Sequence, residues 1–488
     1  MSVETMKKSI AGGAGGRRVL FLNAPPVDGV NVVREGRCMQ RTGAWTTVWA
    51  PVSLATTAAV LRDEGFEVEL IDSSVEDIDW PGLRRLIAGY RPWMVVINTA
   101  TPSIVSDLSV ATMVKEVCPD AHTLAMGIHV TALPDSSFEM DGNIELLARG
   151  EPEHTIRDTA LALRDRTPLG EVPGLSWRDA DGTVHNNEKR PFIDDLDALP
   201  YPAWDLIDTG RYLMPFLGRP FLLVASARGC PYACTYCANK AFYGARLRKR
   251  TPGRIVDEME WAGKQFGIRD FLVWAESFTN DQDYAIETAE EIMRRGLDVS
   301  WVCNSRVDTV TPTLLRKIKE AGCWMIGYGI ECGNQDVLDS VKKGATLTDS
   351  LQAVRMAQEV GLEVTGHVVV GFPGETEETM QQTIDFARFI GLDYAQFYCA
   401  VAFPGSALYQ HCKENGWMDE ADWKYFEQNY SVIRTDDLTP EQIMKARDRA
   451  FRQFYTQPRV VYNSLKKVRS KDDVANFARM LKDFLSWV

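Results

Sequence analysis

At 488 residues, with 45% hydrophobic and 25% charged side chains, the chain is too long for one ordinary core, and two or three globular domains are expected. Its net charge of −13 argues against nucleic acid, because affinity for a phosphate backbone comes mostly from Lys and Arg releasing counterions. No apolar run is long enough to cross a bilayer, and the start from Met1 to Ile10 lacks the apolar centre of a signal peptide, so a cytoplasmic location is expected.

The Gly-rich start over 1–16 reads as disordered. From 17 to 165 strands alternate with helices: strands over 18–24, 67–72, 93–98, 122–126 and 144–148, with helices over 51–64, 81–89 and 105–117 between them. Gly65 suits a helix C-terminus. Such alternation predicts an α/β, doubly wound (Rossmann-like) sheet, whose ligands bind beyond the carboxyl ends of the strands. The loops to watch are therefore 23–50, 99–103, 127–131 and 149–153. From 166 to 215 the pattern dissolves into Pro, Asp and Gly with short strands, such as 174–178, as in a linker. Alternation resumes over 216–410, with strands over 221–227, 270–274, 299–304, 325–329, 364–370 and 395–400, which predicts a partial (β/α)6 barrel with its chemistry at the strand C-termini. The remainder, 411–488, reads as helical, with Thr439-Pro-Glu-Gln442 as a capped helix start.

The first barrel strand runs into Cys230, Cys234 and Cys237, spaced C-x3-C-x2-C. A cubane iron–sulfur cluster takes one protein ligand per iron, so three thiolates leave one iron open. An open iron can chelate the amino and carboxylate groups of S-adenosylmethionine, and the reduced cluster can then break a carbon–sulfur bond to give a primary carbon radical. The alternative, a structural zinc site, needs a fourth ligand. The next cysteine is Cys303 and the next histidine His367, both in later segments. The ten cysteines are dispersed rather than arranged as a secreted disulfide framework, and a reducing compartment suits an oxygen-sensitive cluster. The basic stretch from Arg246 to Arg250 reads as a solvated face or as a contact for an anionic substrate.

This loop, with aromatic Tyr236 ahead of the last cysteine, resembles that of the radical S-adenosylmethionine superfamily, and the whole order of domains resembles its cobalamin-dependent (B12-binding) class. Supporting details are Glu35-Gly-Arg-Cys38, Gly127-Ile-His-Val-Thr131 and Arg149-Gly-Glu-Pro-Glu153. Family members commonly carry Gly-Gly-Pro-His where this chain has Met126-Gly-Ile-His129, and the Asp-x-His-x-x-Gly loop that places a histidine under cobalt is absent after the first strand. The resemblance implies three cofactors, a [4Fe-4S] cluster on Cys230, Cys234 and Cys237, S-adenosylmethionine and cobalamin. It places S-adenosylmethionine against Tyr236, Glu276, Arg306, Glu331 and Gly371, and cobalamin against Thr101, Ser103, Gly127, His129, Gly150 and Glu151. Arg306 suits a carboxylate because its fork binds bidentately, and its plain alternative is an ion pair with a barrel Asp or Glu. No catalytic acid or base stands out.

The activity so implied is methylcobalamin-dependent C-methylation of an unactivated carbon, after the adenosyl radical has taken a substrate hydrogen. A cyclase or rrearrangement enzyme of the anaerobic magnesium-protoporphyrin type uses the same cofactors. A radical methylthiotransferase is a further alternative, against which stand the scarcity of N-terminal cysteines (Cys38 and Cys118), the helical tail and the acidic charge. A cobalamin sensor would have no use for the cysteine loop. The expected partners are a small molecule, apolar or polycyclic given the aromatic strand ends, and a reducing donor such as flavodoxin or ferredoxin.

Overall fold

The structure, a computed structural model, describes residues 17–26, 28–36, 40–41, 47–215, 217–420 and 422–466; the 1–16 start, Cys38 and the 467–488 part of the expected helical tail lie outside them. The chain divides into two units, each built on its own sheet.

The first unit takes residues 1–41, 48–211 and 238–244. Its strands β1 (Arg18–Asn23), β2 (Glu67–Asp72), β3 (Met94–Thr99), β4 (His122–Gly127) and β5 (Leu146–Ala148) run parallel in the order β2-β1-β3-β4-β5. All six residues of β3 are buried, as expected of a central strand covered by helices on both faces. Between the strands lie the helices Val52–Asp63, Trp80–Tyr90, Ile104–Val117 and Pro152–Asp165. The strand order reverses direction between β1 and β3, which marks the ligand crevice of such a sheet. The segment over 166–215, expected as a linker, belongs to this unit as far as Arg211. It adds β6 (Leu175–Arg178), antiparallel to β5, and β7 (Val184–Asn186), antiparallel to β6. Strands of four and three residues are too short to show an alternating pattern, so their place in the ladder is visible only in three dimensions.

The second unit holds residues 42–47, 212–237 and 245–488. Its six parallel strands are β8 (Phe221–Ala225), then, beyond the short antiparallel ribbon β9 (Ala227–Arg228) and β10 (Arg248–Lys249), β11 (Asp270–Trp274), β12 (Ser300–Ser305), β13 (Cys323–Glu331), β14 (Glu363–Val370) and β15 (Tyr394–Cys399). They pair in chain order from β8 to β15, as in an open barrel. The helices between them start on capping side chains: Thr251, Asp281, Thr311, Thr346 and Thr376 each accept a backbone N–H of the first turn. The helix Pro440–Tyr455 starts on a reciprocal Thr439 and Gln442 capping box and packs Phe451 and Phe454 edge-on to Phe397 of β15. Along the strands, Val273, Cys303, Ile326, Val368 and Phe397 are fully buried. Trp274, Asn304, Gly329, His367 and Gln396, on the alternate positions, stay partly exposed and form the other face.

Candidate functional site

Beyond β8 the chain enters the loop that carries Cys230, Cys234 and Cys237, all free thiols and partly exposed. The loop is pinned at its middle: Thr235 N–H donates to the Val341 carbonyl at 3.0 Å, and the Thr235 carbonyl accepts Leu408 N–H at 2.8 Å. Arg306, just past β12, lays its guanidinium 3.5 Å from the centre of the Tyr232 ring and brings Nη1 to 4.0 Å from Cys234 Sγ. Its fork is filled by Asp308, at 2.8 and 2.7 Å, and Nη2 also donates to the Lys343 carbonyl at 2.7 Å. Burial alone would lower the pKa of Arg306; the Asp308 pair, with Cys234 and Tyr232, holds it above its ordinary value. Arg306 therefore sits in the ion pair that was the plain alternative to a ligand carboxylate.

On the other side of the loop, Tyr236 packs on Phe372 and its hydroxyl bonds Glu331. Burial, then Glu331 and the thiols of Cys234 and Cys237, push the phenol well above its ordinary range. Glu331 ends β13 with φ +62°, a strained value for a residue with a side chain, and pairs with Lys343 Nζ at 2.7 Å. Burial would raise its pKa, but Lys343 overrides that and holds it below the usual carboxylate value. A side chain at Gly329 would lie 2.5 Å from Glu331 Oε1 and 2.7 Å from Lys343 Nζ, so the glycine makes room for the pair. A side chain at Gly327 would likewise meet Asn304 Oδ1 at 2.6 Å and His367 Nε2 at 3.1 Å. Glu276, two residues past β11, is buried. Gly371 follows β14, but its N–H is taken by Glu375 at 2.7 Å, and a side chain there would strike Ile443 at 2.5 Å. Its backbone thus serves the turn and the packing of the C-terminal helix. Sequence reasoning missed Lys343, Asp308 and Glu375. Of these Asp308, two residues from Arg306, and Glu375, four residues from Gly371, left a local signal, and Lys343 left none. The basic stretch is divided: Arg250 pairs with buried Glu258 at 2.6 Å and Arg248 is buried, while Arg246 and Lys249, the latter paired with Asp281 at 2.5 Å, lie on an exposed face.

In the first unit the strand-end residues are tied to one another. His129 Nδ1 lies 3.4 Å from Thr101 Oγ1, and burial drives the imidazole pKa down to about 3, so it is neutral at physiological pH. Ser103 Oγ donates to Asp107 at 2.6 Å, and Asp107 also receives Arg34 at 2.8 Å and Ala100 N–H at 3.1 Å. Thr131, missed in the sequence, joins two loops: its hydroxyl donates to the Gly127 carbonyl at 2.7 Å and accepts Gly150 N–H at 3.0 Å. Glu151 accepts Ile193 N–H at 2.7 Å. Gly127 has φ +133° and would set a side chain 2.4 Å from the Thr99 carbonyl, which explains the glycine. Glu35, in the loop after β1, is buried against Ser53, whose hydroxyl donates at 2.7 Å, and burial raises its pKa to about 8.

These donor sets fit the groups that the motifs imply. Among the described residues no three His, Cys, Asp or Glu side chains are placed to hold a single metal ion, whereas a cubane takes its thiolates one to a corner. In the first unit the hydroxyls of Ser73 and Ser74, beyond β2, and both amide atoms of Asn239 are buried without a hydrogen-bond partner among the described residues. Buried polar groups are rarely left so, and neutral donors and acceptors are what the amide-studded rim of a corrin requires. Asn239 opens the short helix Asn239–Phe242, which packs on the Ile128–Ala132 turn that carries His129.

Comparison with known proteins gives the same division. Residues 224–387 match the Radical SAM superfamily and residues 43–159 the B12 binding domain. An uncharacterized methyltransferase of Pyrococcus horikoshii is 31% identical over 419 residues, which cover 86% of this chain and 90% of that one. An anaerobic magnesium-protoporphyrin IX monomethyl ester cyclase of Rubrivivax gelatinosus is 26% identical over 413 residues, covering 83% and 74%. The solved structure of the cobalamin-dependent S-adenosylmethionine radical enzyme OxsB, with aqua-cobalamin and S-adenosylmethionine bound, has the same fold, with a TM-score of 0.72 at 16% identity over 96% of this chain and 72% of that chain. With both domain matches in one chain and a relative of that identity and span, this protein belongs to the cobalamin-dependent branch of the radical S-adenosylmethionine superfamily, enzymes whose cofactors are a [4Fe-4S] cluster, S-adenosylmethionine and cobalamin.

Proposed function

We propose that the protein transfers a methyl group to an unactivated carbon of a small molecule. The observation that carries this reading is the pairing, in one chain, of a B12-binding unit with a three-thiolate loop held on a parallel barrel. When bound, the cluster with S-adenosylmethionine supplies a 5′-deoxyadenosyl radical, and cobalamin supplies the methyl group. Cys230, Cys234 and Cys237 hold three iron corners and leave the fourth to S-adenosylmethionine. Glu276 and Glu331 offer carboxylates to its amino group, Tyr236 fixes the orientation of Glu331, and Gly371 keeps the turn after β14 in shape through Glu375 rather than offering an open surface. Arg306, engaged by Asp308 and Tyr232, acts on the cluster loop rather than on the ligand carboxylate. In the first unit Thr101, Gly127, His129 and Gly150 present neutral groups to the corrin, while Ser103 and Glu151 hold the loops through Asp107 and Ile193. Reduced flavodoxin or ferredoxin is the electron source.

The test is product analysis with methyl-labelled S-adenosylmethionine and apolar or polycyclic acceptors. Label in the product, with 5′-deoxyadenosine and S-adenosylhomocysteine in comparable amounts, is the expected result. The similarity to the cyclase favours ring closure as the second reading, which would give 5′-deoxyadenosine without S-adenosylhomocysteine. Failure to cleave S-adenosylmethionine under reducing conditions would overturn both.

A further inference from the structure

Tyr232 and Tyr236 stand on either side of Cys234, and each is held by a charged residue, Tyr232 beneath Arg306 and Tyr236 on Glu331. Both holders lead to Lys343. Its carbonyl accepts Arg306 Nη2 at 2.7 Å, and its Nζ donates to Glu331 Oε1 at 2.7 Å. Two residues earlier, the Val341 carbonyl takes Thr235 N–H from the middle of the loop at 3.0 Å. The 341–343 turn follows the helix Gln335–Ser340, and Lys343 N–H closes it onto the Leu338 carbonyl at 3.0 Å. Lys342 has φ +54° and Glu331 φ +62°, so the backbone departs from its easy conformations at both ends of this bracket. Lys343 is only 5% exposed. A buried ion pair adds little net stability over well-packed apolar side chains of the same volume, so stability alone does not account for one placed against a thiolate loop.

We propose that Lys343 is the positioning residue of the cluster loop, joining its Tyr232 and Tyr236 flanks through Arg306 and Glu331 and balancing the Glu331 carboxylate beside the thiolates. The proposal rests on Cys230, Cys234 and Cys237 being cluster ligands. The bracket holds the loop in shape before iron arrives. Once iron is bound, the local net charge is one of the determinants of the cluster potential. Removing the lysine charge leaves an uncompensated carboxylate and makes reduction harder; removing the carboxylate charge makes it easier.

Two measurements test this. The first is the alkylation rate of each cysteine in the iron-free protein, read by mass spectrometry with buried Cys323 and Cys399 as internal controls. The second is the midpoint potential of the reconstituted protein. In Lys343→Met the three loop thiols are expected to react at least about tenfold faster, because the loop opens locally, while the two controls do not change. The potential falls in Lys343→Met, rises in Glu331→Gln, and returns toward that of the unsubstituted protein when the two are combined. Unchanged thiol protection in Lys343→Met, or potentials that move in the same direction in both single variants, overturns the proposal. If Lys343→Met does not fold, Lys343→Arg and Glu331→Gln decide: the arginine must keep the potential and the glutamine must raise it. An unsubstituted protein that takes up zinc or no iron defeats the cluster reading instead, and shows it before any variant is made.

Discussion

The two units treat the polar residues at the ends of their parallel strands with a different balance of neutral and charged groups. In the first, burial pushes His129 to about 3 and Glu35 to about 8, which holds both uncharged, while Arg34 and Asp107 form a buried ion pair beside Ser103. Its loops are joined through hydroxyls and backbone, as at Thr131. In the second the groups flanking the cysteine loop stay charged and are paired, Arg306 with Asp308 and Glu331 with Lys343, with Glu331 held below the usual carboxylate value, while Glu375, in the turn after β14, is raised by burial to about 7. Burial favours the neutral form of any group unless an opposite charge is close enough to offset desolvation. A neutral site suits a large ligand rimmed with amides. A site of fixed, paired charges suits a thiolate cluster whose charge changes by one when it is reduced.

The largest effect that breaks this contrast falls on the thiolates. Replacing Cys230, Cys234 or Cys237 by Ala should abolish 5′-deoxyadenosine formation and iron uptake yet leave cobalamin retention through gel filtration intact. Loss of both cofactors together would mean that the two sites are not separable. Next comes Arg306→Met, which leaves the buried Lys343 carbonyl without its charged donor and the Tyr232 ring without its cation, and should destabilise the second unit by about 1 to 3 kcal/mol, Asp308 itself being exposed to solvent. Arg306→Lys should rescue little of this, since a point charge cannot serve Asp308, the Lys343 carbonyl and the Tyr232 face at once. Thermal unfolding of the iron-free variants checks both.

What could be seen in the sequence follows the range of the interactions. The cluster loop, the alternation of strands and helices, and the Thr439 to Gln442 capping box are set within a few residues, and the chain shows them directly. Glu331 and Lys343 are 12 positions apart and Arg306 and Lys343 are 37 apart, so only folding brings them together. Arg306 differs: one partner, Asp308, is two residues away and could be read locally, while the other, the Lys343 carbonyl, is brought to it only by folding. Gly371 looked like a ligand-facing turn, whereas its N–H goes to Glu375 and its missing side chain admits Ile443, which lies 72 residues further on. Short strands such as β7 carry too few residues for any period to register.

Two smaller effects sharpen the comparison within the first unit. Glu35 holds its proton up to about pH 8, whereas in the unfolded chain it ionises near its ordinary 4.5. Its contribution to stability is therefore complete below about pH 4.5 and is lost as pH rises through about 8. Glu35→Gln does not titrate, so it should gain on the natural residue across that window, reaching a few kcal/mol by pH 8. Hydrogen exchange in β1 and the Val52–Asp63 helix reads this, and a difference between the two proteins that does not change with pH would show that Glu35 is already ionised in the folded state.

Thr131→Val should act more weakly still. It removes the hydroxyl that bridges the Gly127 carbonyl and Gly150 N–H, a loss of about 1 to 1.5 kcal/mol in loop order, while leaving the bulk of the side chain unchanged. Cobalamin affinity should fall roughly tenfold at most, since each 1.4 kcal/mol is a factor of ten. Thr131→Ser, which keeps the hydroxyl, should bind as the natural protein does. The cluster midpoint potential should stay put in both variants, because hydroxyl-for-methyl exchange changes no charge. If that potential moves with Thr131, charge pairing in the second unit is not sufficient to set it.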